Sequence, residues 1–380
     1  MVNVVESEGE RMIYYMLLFI FMLLLTIVNI QAMPKLKRYE PDSKTPQPLI
    51  SILIPMRNEE RNVKRIISSI KGLTYSNLEC VILDDQSTDQ TRTQLLKEIH
   101  GDPRFTIIEG KELREGWVGK VHACHQLSQA ANGDYLLFVD ADVELKERTL
   151  EHTLATAQAT KAALLTGFPR FPVKTWLEAL VVPLQHVVVF SYLPVVVANR
   201  NKMSKASAAH GAFIFIKKEA YEAVVGGHEA VKSSLVEDVH LAQLFKQKKH
   251  RVILANITSH VSCYMYETTE EVWNGFAKNI FVGLGRSAKT VWVLSVFFAC
   301  YYVLPLPFFI AGIFTGNMLW ILPFCIMLFQ RFLIDRSAQQ KGLLFCTMPA
   351  SAIVLLLLMN HSMKRERKKQ GYEWKGRHYQ

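Results

Sequence analysis

Asp140-Ala141-Asp142 places two carboxylates two residues apart at the end of an apolar run, YLLFV. In extended chain, side chains two apart point the same way, so both can address one cation or the phosphates bound to it. The other reading is a strand end that caps the helix after it. Asp84-Asp85-Gln86-Ser87-Thr88-Asp89 closes a second apolar run. A polar turn with Ser87 as helix cap and Gln90 three residues on explains Ser87, but not two successive carboxylates, one of which could meet a base or a ribose. Arg57-Asn58-Glu59 follows a third run, LISILIP, with Asn58 as a candidate cap. Gly116-Trp117-Val118-Gly119-Lys120 offers a tight backbone path and a point charge for a diphosphate; a surface loop with a solvated lysine is the alternative. Glu237-Asp238 opens a helical pattern. Ser234-Leu235-Val236-Glu237 fits a capping box, which gives Glu237 a structural job and leaves Asp238 unexplained. A carboxylate at a helix N-terminus is stabilised in its ionised form and can accept a proton. His122, Cys124 and His125 resemble metal ligands by composition only; packing accounts for them as well.

Acidic pairs at the ends of apolar runs need a scaffold that gathers strand ends. Residues 46–265 read as strands at 49–55, 78–83, 104–109 and 135–139 alternating with helices, the first at 59–71 with Val63, Ile66, Ile67 and Ile70 at helical spacing. This alternation predicts an α/β fold with a mostly parallel sheet covered on both faces, and ligands at the carboxyl ends of its strands.

The rest of the chain is of another kind. Half of the 380 residues are hydrophobic, which excludes a disordered or fibrous protein. Residues 12–30 are apolar except for Thr26 and Asn29, long enough to span a bilayer, and the acidic flank before them (Glu6, Glu8, Glu10) argues for an uncleaved anchor rather than a signal peptide. Residues 291–314 and 342–359 are also long enough. The run at 318–329 has only 12 residues before Gln330 and Arg331, which leaves it open to cross, lie at the interface or turn back; the basic flanks favour the last two. Lys35, Lys37, Arg38 and Lys44 follow the first span; Lys364, Arg365, Arg367, Lys368, Lys369, Lys375 and Arg377 follow the last. Both flanks are therefore expected in the cytoplasm, with an even number of crossings after the soluble part. Half of the net charge of +10 sits after His361, so the basic excess suits anionic lipid and is no argument for nucleic acid. Six scattered cysteines without C-x-x-C indicate neither a zinc site nor a disulfide framework. The segment 176–198, broken by Pro183 and Pro194, reads as an interfacial helix, an acceptor channel or a buried core element.

Taken together and in order, Pro55 to Glu59, Asp84 to Asp89, Asp140 to Asp142 and Glu237-Asp238 resemble the P-x-x-N-E, D-D-x-S-x-D, D-x-D and E-D motifs of family 2 glycosyltransferases, over about residues 48–260. The resemblance implies a GT-A nucleotide-sugar-binding domain with N-terminal and C-terminal transmembrane helices. It implies that Pro55, Asn58, Glu59, Asp85, Lys120 and Asp140 bind the nucleotide sugar, that Asp142 holds Mg2+ or Mn2+, and that Asp238 is the general base. His210, Gly211 and Glu237 would lie on the acceptor side, with Gly226-Gly227-His228 below the transferred sugar. Trp273-Asn274-Gly275-Phe276-Ala277-Lys278-Asn279 stands where polymer synthases of the family carry Q-x-x-R-W, which argues against processive polymerisation. Residues 116–124 and the terminal Glu373-Trp374-Lys375-Gly376-Arg377-His378-Tyr379 are similar to membrane glycosyltransferases of C30 carotenoid synthesis, of the 4,4'-diaponeurosporenoate type.

The expected organisation is an anchor and linker (1–45), the catalytic domain (46–265), an amphipathic interface segment (266–289), C-terminal membrane segments (290–361) and a basic cytoplasmic tail (362–380). The expected function is inverting transfer of a hexose, glucose from UDP-glucose, to a lipid acceptor at the cell membrane, the acceptor being a C30 carotenoid acid or a hydroxy-carotenoid. The competing readings are a polyprenyl-phosphate or glycolipid glycosyltransferase, and a silent nucleotide-binding scaffold.

Overall fold

The run ISILIPM is rich in branched apolar residues that fit a pleated, doubly covered surface, and it forms an interior strand of the main sheet. The computed structural model describes residues 2–38, 47–200, 203–204, 206–223, 226–367, 372–374 and 377–379. Lys44, Lys368, Lys369 and Lys375, invoked above for orientation, lie outside the described residues. The chain divides into two units: residues 33–172 with 194–265, and residues 1–32, 173–193 and 266–380.

Among the described residues the first unit holds nine strands: β1 (Ile50–Met56), β2 (Leu78–Asp84), β3 (Phe105–Glu109), β4 (Tyr135–Phe138), β5 (Val143–Leu145), β6 (Leu164–Thr166), β7 (Ile214–Lys217), β8 (Val252–Leu254) and β9 (Val261–Cys263). Seven of them form one sheet in the order β3-β2-β1-β4-β7-β6-β8. β1 to β4 are mutually parallel, whereas β7 runs antiparallel to both β4 and β6. β5 and β9 pair antiparallel as a separate two-stranded sheet. In register, Met56 faces Asp84 and Leu53 faces Phe138, so Arg57, Asp85 and Asp140 all emerge at the same sheet edge. With strands about 4.8 Å apart, β2 and β4, flanking β1, stand roughly 10 Å from each other, the span of a nucleoside diphosphate.

Helix Glu60–Lys71 buries Val63, Ile66, Ile67 and Ile70 against the sheet, as their spacing predicts. Each such side chain contributes about 1.5–3 kcal/mol. Three expected caps are absent. The helix after β2 begins at Thr91, not near Ser87, because Ser87 Oγ accepts from Asn58 N and its own N–H donates to Asp84. Asn58 adopts a left-handed conformation (φ 51°), and its Oδ1 accepts from Thr88 N rather than capping its own helix. Ser234 Oγ accepts from Val236 N and meets His240, so no capping box forms at Glu237.

The second unit is helical. Among the described residues, four of its helices are long and apolar enough to cross a membrane: Glu10–Ala32, Ala288–Thr315, Met318–Ser337 and Leu344–Arg367. The third corrects the expectation of a segment that stops at Phe329. The helix continues past Phe329 with its polar residues finding partners inside the unit. Gln330 donates to Thr26 Oγ1 (2.8 Å) and accepts from Tyr301 (2.8 Å), while Arg331 pairs with Asp335 one turn on (2.8 Å). Polar contacts of this kind act as glue between spans, about 0.6 kcal/mol each. Pro183 and Pro194 divide residues 176–198 into three short helices, and Asn29 of the first span donates to Phe190 O at 2.9 Å, so the middle helix is a packing element.

Candidate active site

Lys120 sits in the first turn of helix Gly119–Ala130, entered by an extended Val118 whose N–H is held by Lys232 O. Its ammonium lies 2.7 Å from Asp140 Oδ1 and 3.2 Å from Glu237 Oε1. Burial works against the charge, but Asp140 and Glu237 outweigh it and hold the ammonium well above its ordinary value. Glu237 is thus engaged in an ion pair rather than in the expected cap. Asp142 lies beside Asp140; burial first, then the Asp140 charge, pushes its carboxyl up to about 6, against a 3.4 Å contact from the Cys263 thiol. Asp238 opens helix Glu237–Gln247, and its Oδ1 accepts from Val239 N at 2.8 Å. Burial and then Glu237 raise it to about 7, against Lys120.

Gly211 completes the cluster. A Cβ placed there would stand 2.7 Å from Lys120 Nζ and 3.6 Å from both Asp140 Oδ2 and Glu237 Oε1. Only the flexible end of Lys120 obstructs it, so Gly211→Ala should fold normally and displace the ammonium. The expected outcome is a fall in kcat/KM of about ten- to a hundred-fold with an unchanged melting temperature, as misplacements of about 1 Å cost this much. His210 packs its ring against Phe168 and Phe171, and burial lowers it to about 4, so it is neutral. His228 is buried between Phe138 and Tyr221 and hydrogen-bonded to the Tyr221 hydroxyl, a packing role beneath β4. Gly227, at φ 50°, leaves no room for a side chain beside the Tyr221 ring.

Pro55, Asn58, Glu59 and Asp85 lie at the ends of β1 and β2. Arg57 donates to Asp85 O (2.5 Å) and Gln86 O (3.1 Å), and Glu59 N donates to Thr91 Oγ1. The two motifs therefore interlock, with Asp85 buried and Gly110 close against its Cα (3.0 Å for an added Cβ). Cys263 is a site residue that the sequence did not disclose, because it arrives on β9, more than a hundred residues from Asp142, in a run with no motif. His122 stacks edge-on with Trp117, and Cys124 is in the core, so both serve packing.

A divalent cation would meet two donors here. Asp140 and Asp142 repel each other, and a cation would relieve that repulsion. No group of three His, Cys, Asp or Glu side chains with metal-binding geometry occurs among the described residues. That donor set fits Mg2+, which keeps several waters and borrows oxygens from substrate phosphates.

Residues 51–225 match the family model described as Glycosyl transferase family 2. Residues 51–225 are therefore a family 2 glycosyltransferase domain. The match takes in the first three motifs, and Glu237-Asp238 follows it. The chain is 27% identical over 255 residues to 4,4'-diaponeurosporenoate glycosyltransferase of Staphylococcus haemolyticus, covering 65% of each, just under two thirds of that relative. It is 24% identical over 357 residues to the protein of the same name from Staphylococcus aureus, covering 87% of this chain and 88% of the other. The mannosyltransferase PcManGT from Pyrobaculum calidifontis, solved in complex with GDP-Man and Mn2+, superposes with a TM-score of 0.54 at 17% identity, over 94% of this chain and 97% of its own. At that identity the likeness shows the fold, and the glycosyltransferase domain has the GT-A sheet expected from its motifs.

Proposed function

We propose that the protein transfers a hexose, glucose from UDP-glucose, to an apolar lipid acceptor with inversion. The observation that carries this reading is Lys120, held between Asp140 and Glu237 with Asp142 and Asp238 in the same electrostatic cluster. In this reading Lys120 faces the leaving diphosphate, and Asp85 and Asn58 face the nucleoside. Asp140 and Asp142 would hold a divalent cation, which supplies neutralising charge for the leaving group. Asp238 takes the acceptor proton while the acceptor oxygen attacks the anomeric carbon from the face opposite the nucleotide. Positioning of the two substrates supplies the remainder.

The names of the staphylococcal relatives support a C30 carotenoid acid as acceptor. Asp238 supports a hydroxyl instead, since a carboxylic acid is already ionised at neutral pH and needs no base. Membranes given UDP-[14C]glucose with matched acid and alcohol lipids distinguish the two. Label in the organic phase together with free UDP supports transfer; UDP no higher than in membranes lacking the protein would leave only a nucleotide-binding scaffold.

A base near 7 also sets the pH profile. A carboxyl raised by burial and Glu237, and faced by Lys120 and Asp140, is protonated and inactive below its pKa. With a hydroxyl acceptor, kcat/KM is expected to rise about ten-fold per pH unit up to about pH 7 and then level off. A flat profile from pH 5 to 8, over about three units, contradicts that role.

The basic flank at Lys35, Lys37 and Arg38 supports a cytoplasmic catalytic unit at the cell membrane. Cys346, exposed in the first turn of the fourth long helix, tests the path of the chain. If Met318–Ser337 crosses, Cys346 stays on the catalytic side and resists a membrane-impermeant maleimide on intact cells. Labelling from outside would put that helix on the surface and return the basic tail to the catalytic side.

A further inference from the structure

A groove of about 910 Å³ lies between helix Glu60–Lys71 and the β5 strand with its following turn, wholly within the catalytic unit. Its walls carry Arg61, Lys64, Arg65, Lys146, Arg148 and His260, against two carboxylates, Glu144 and Glu147. None of the nucleotide, cation or acceptor residues named above lines it. Glu144 is already engaged, accepting from the Tyr264 hydroxyl at 2.8 Å. Arg65 is held in place, its guanidinium 4.0 Å above the Tyr264 ring and donating to Asn62 at 3.0 Å. Lys64, Lys146 and Arg148 are exposed and have no carboxylate partner among the described residues. Like charges gathered on a concave surface repel one another, and that repulsion is relieved only by an anion.

The unit that carries this groove begins in sequence directly after the first long apolar helix. Residues 33–38 follow directly on the first span, and six residues reach at most about 20 Å. They are stitched to this unit: Lys37 N donates to Thr156 Oγ1 at 2.6 Å, and Lys35 bridges to Asn256. His152, on the same helix as Thr156, contacts His260 of the groove at 2.6 Å. Burial holds His152 below its usual value, with Arg148 and Arg38 adding to the effect against Glu151.

We propose that this groove binds the phosphate of an anionic membrane phospholipid, giving the catalytic unit a second hold on the bilayer besides its helices. A soluble phosphate offers the same chemistry. The short chain path to the membrane favours the lipid, and each basic residue near an anionic surface adds about a five-fold preference.

Lysine footprinting tests this on the full-length protein in nanodiscs of phosphatidylcholine, with and without phosphatidylglycerol. Reductive methylation of Lys64 and Lys146 is read by mass spectrometry, with Lys217, the last residue of β7 and paired to Glu219, as internal reference. The expected result is roughly five-fold slower labelling of Lys64 and Lys146 in anionic nanodiscs, Lys217 unchanged, and partial loss of that protection in Arg148→Gln. Equal protection by millimolar inorganic phosphate in neutral nanodiscs would overturn the lipid in favour of a soluble anion. Protection by neither, or protection untouched in Arg148→Gln, would overturn the groove as a site.

Discussion

Asp238→Asn is expected to lower kcat on a hydroxyl acceptor by roughly 10² to 10⁴, about 3 to 5.5 kcal/mol of barrier, with the KM for the donor within about two-fold. The split follows from the geometry. Asparagine keeps the size of the side chain and an oxygen to accept from Val239 N, so the start of helix Glu237–Gln247 is preserved. Lys120 keeps both of its carboxylate partners, Asp140 and Glu237, so the donor side of the cluster is unchanged. What disappears is the group able to take a proton. The same substitution should cost less than about ten-fold with a carboxylic acid acceptor, which arrives without the proton. Initial rates of UDP release on paired acceptors measure both; wild-type turnover on the alcohol would remove Asp238 from the mechanism.

Lys120→Met is expected to reduce kcat/KM by roughly 10² to 10³, the scale of losing one preorganised charge at a leaving group. It leaves Asp140, Asp142, Glu237 and Asp238 without the cation that lies among them. Because Lys120 holds the Asp238 carboxyl down against burial and Glu237, its removal raises that carboxyl further. The acid limb of the pH profile should therefore move to higher pH, together with the loss in rate. Steady-state kinetics across pH, with circular dichroism to confirm the fold, checks both. Unchanged activity with an unmoved limb would show that Lys120 is a structural counter-ion only.

Much of this site was legible because its residues sit at strand ends, where local sequence is informative. The apolar runs before Arg57, Asp84 and Asp140 predict strands, and their parallel pairing brings those residues to one edge. Lys120 was identified from its two neighbouring glycines and its charge. Local reading failed where distant parts of the chain compete for the same hydrogen bond. Ser87, Asn58 and Ser234 all carry capping chemistry, yet Asn58 bonds to the loop of β2 and Ser87 to the loop of β1, and each helix begins elsewhere. Cys263 reaches Asp142 through the β5–β9 pairing, which no spacing announces. In the membrane unit, Gln330 and Arg331 look like the end of an apolar segment; their partners Thr26, Tyr301 and Asp335 are found only once the helices pack.

The central claim is that separated acidic motifs share one sugar nucleotide. Cryo-electron microscopy of the protein in nanodiscs with UDP-glucose and Mn2+ tests it most directly. The account expects the uridine at the ends of β1 and β2 beside Asp85, the diphosphate between Lys120 and Asp142, and the anomeric carbon turned toward Asp238. A nucleotide bound away from Lys120, or one that leaves Asp238 on the far side of the domain from the sugar, would contradict it.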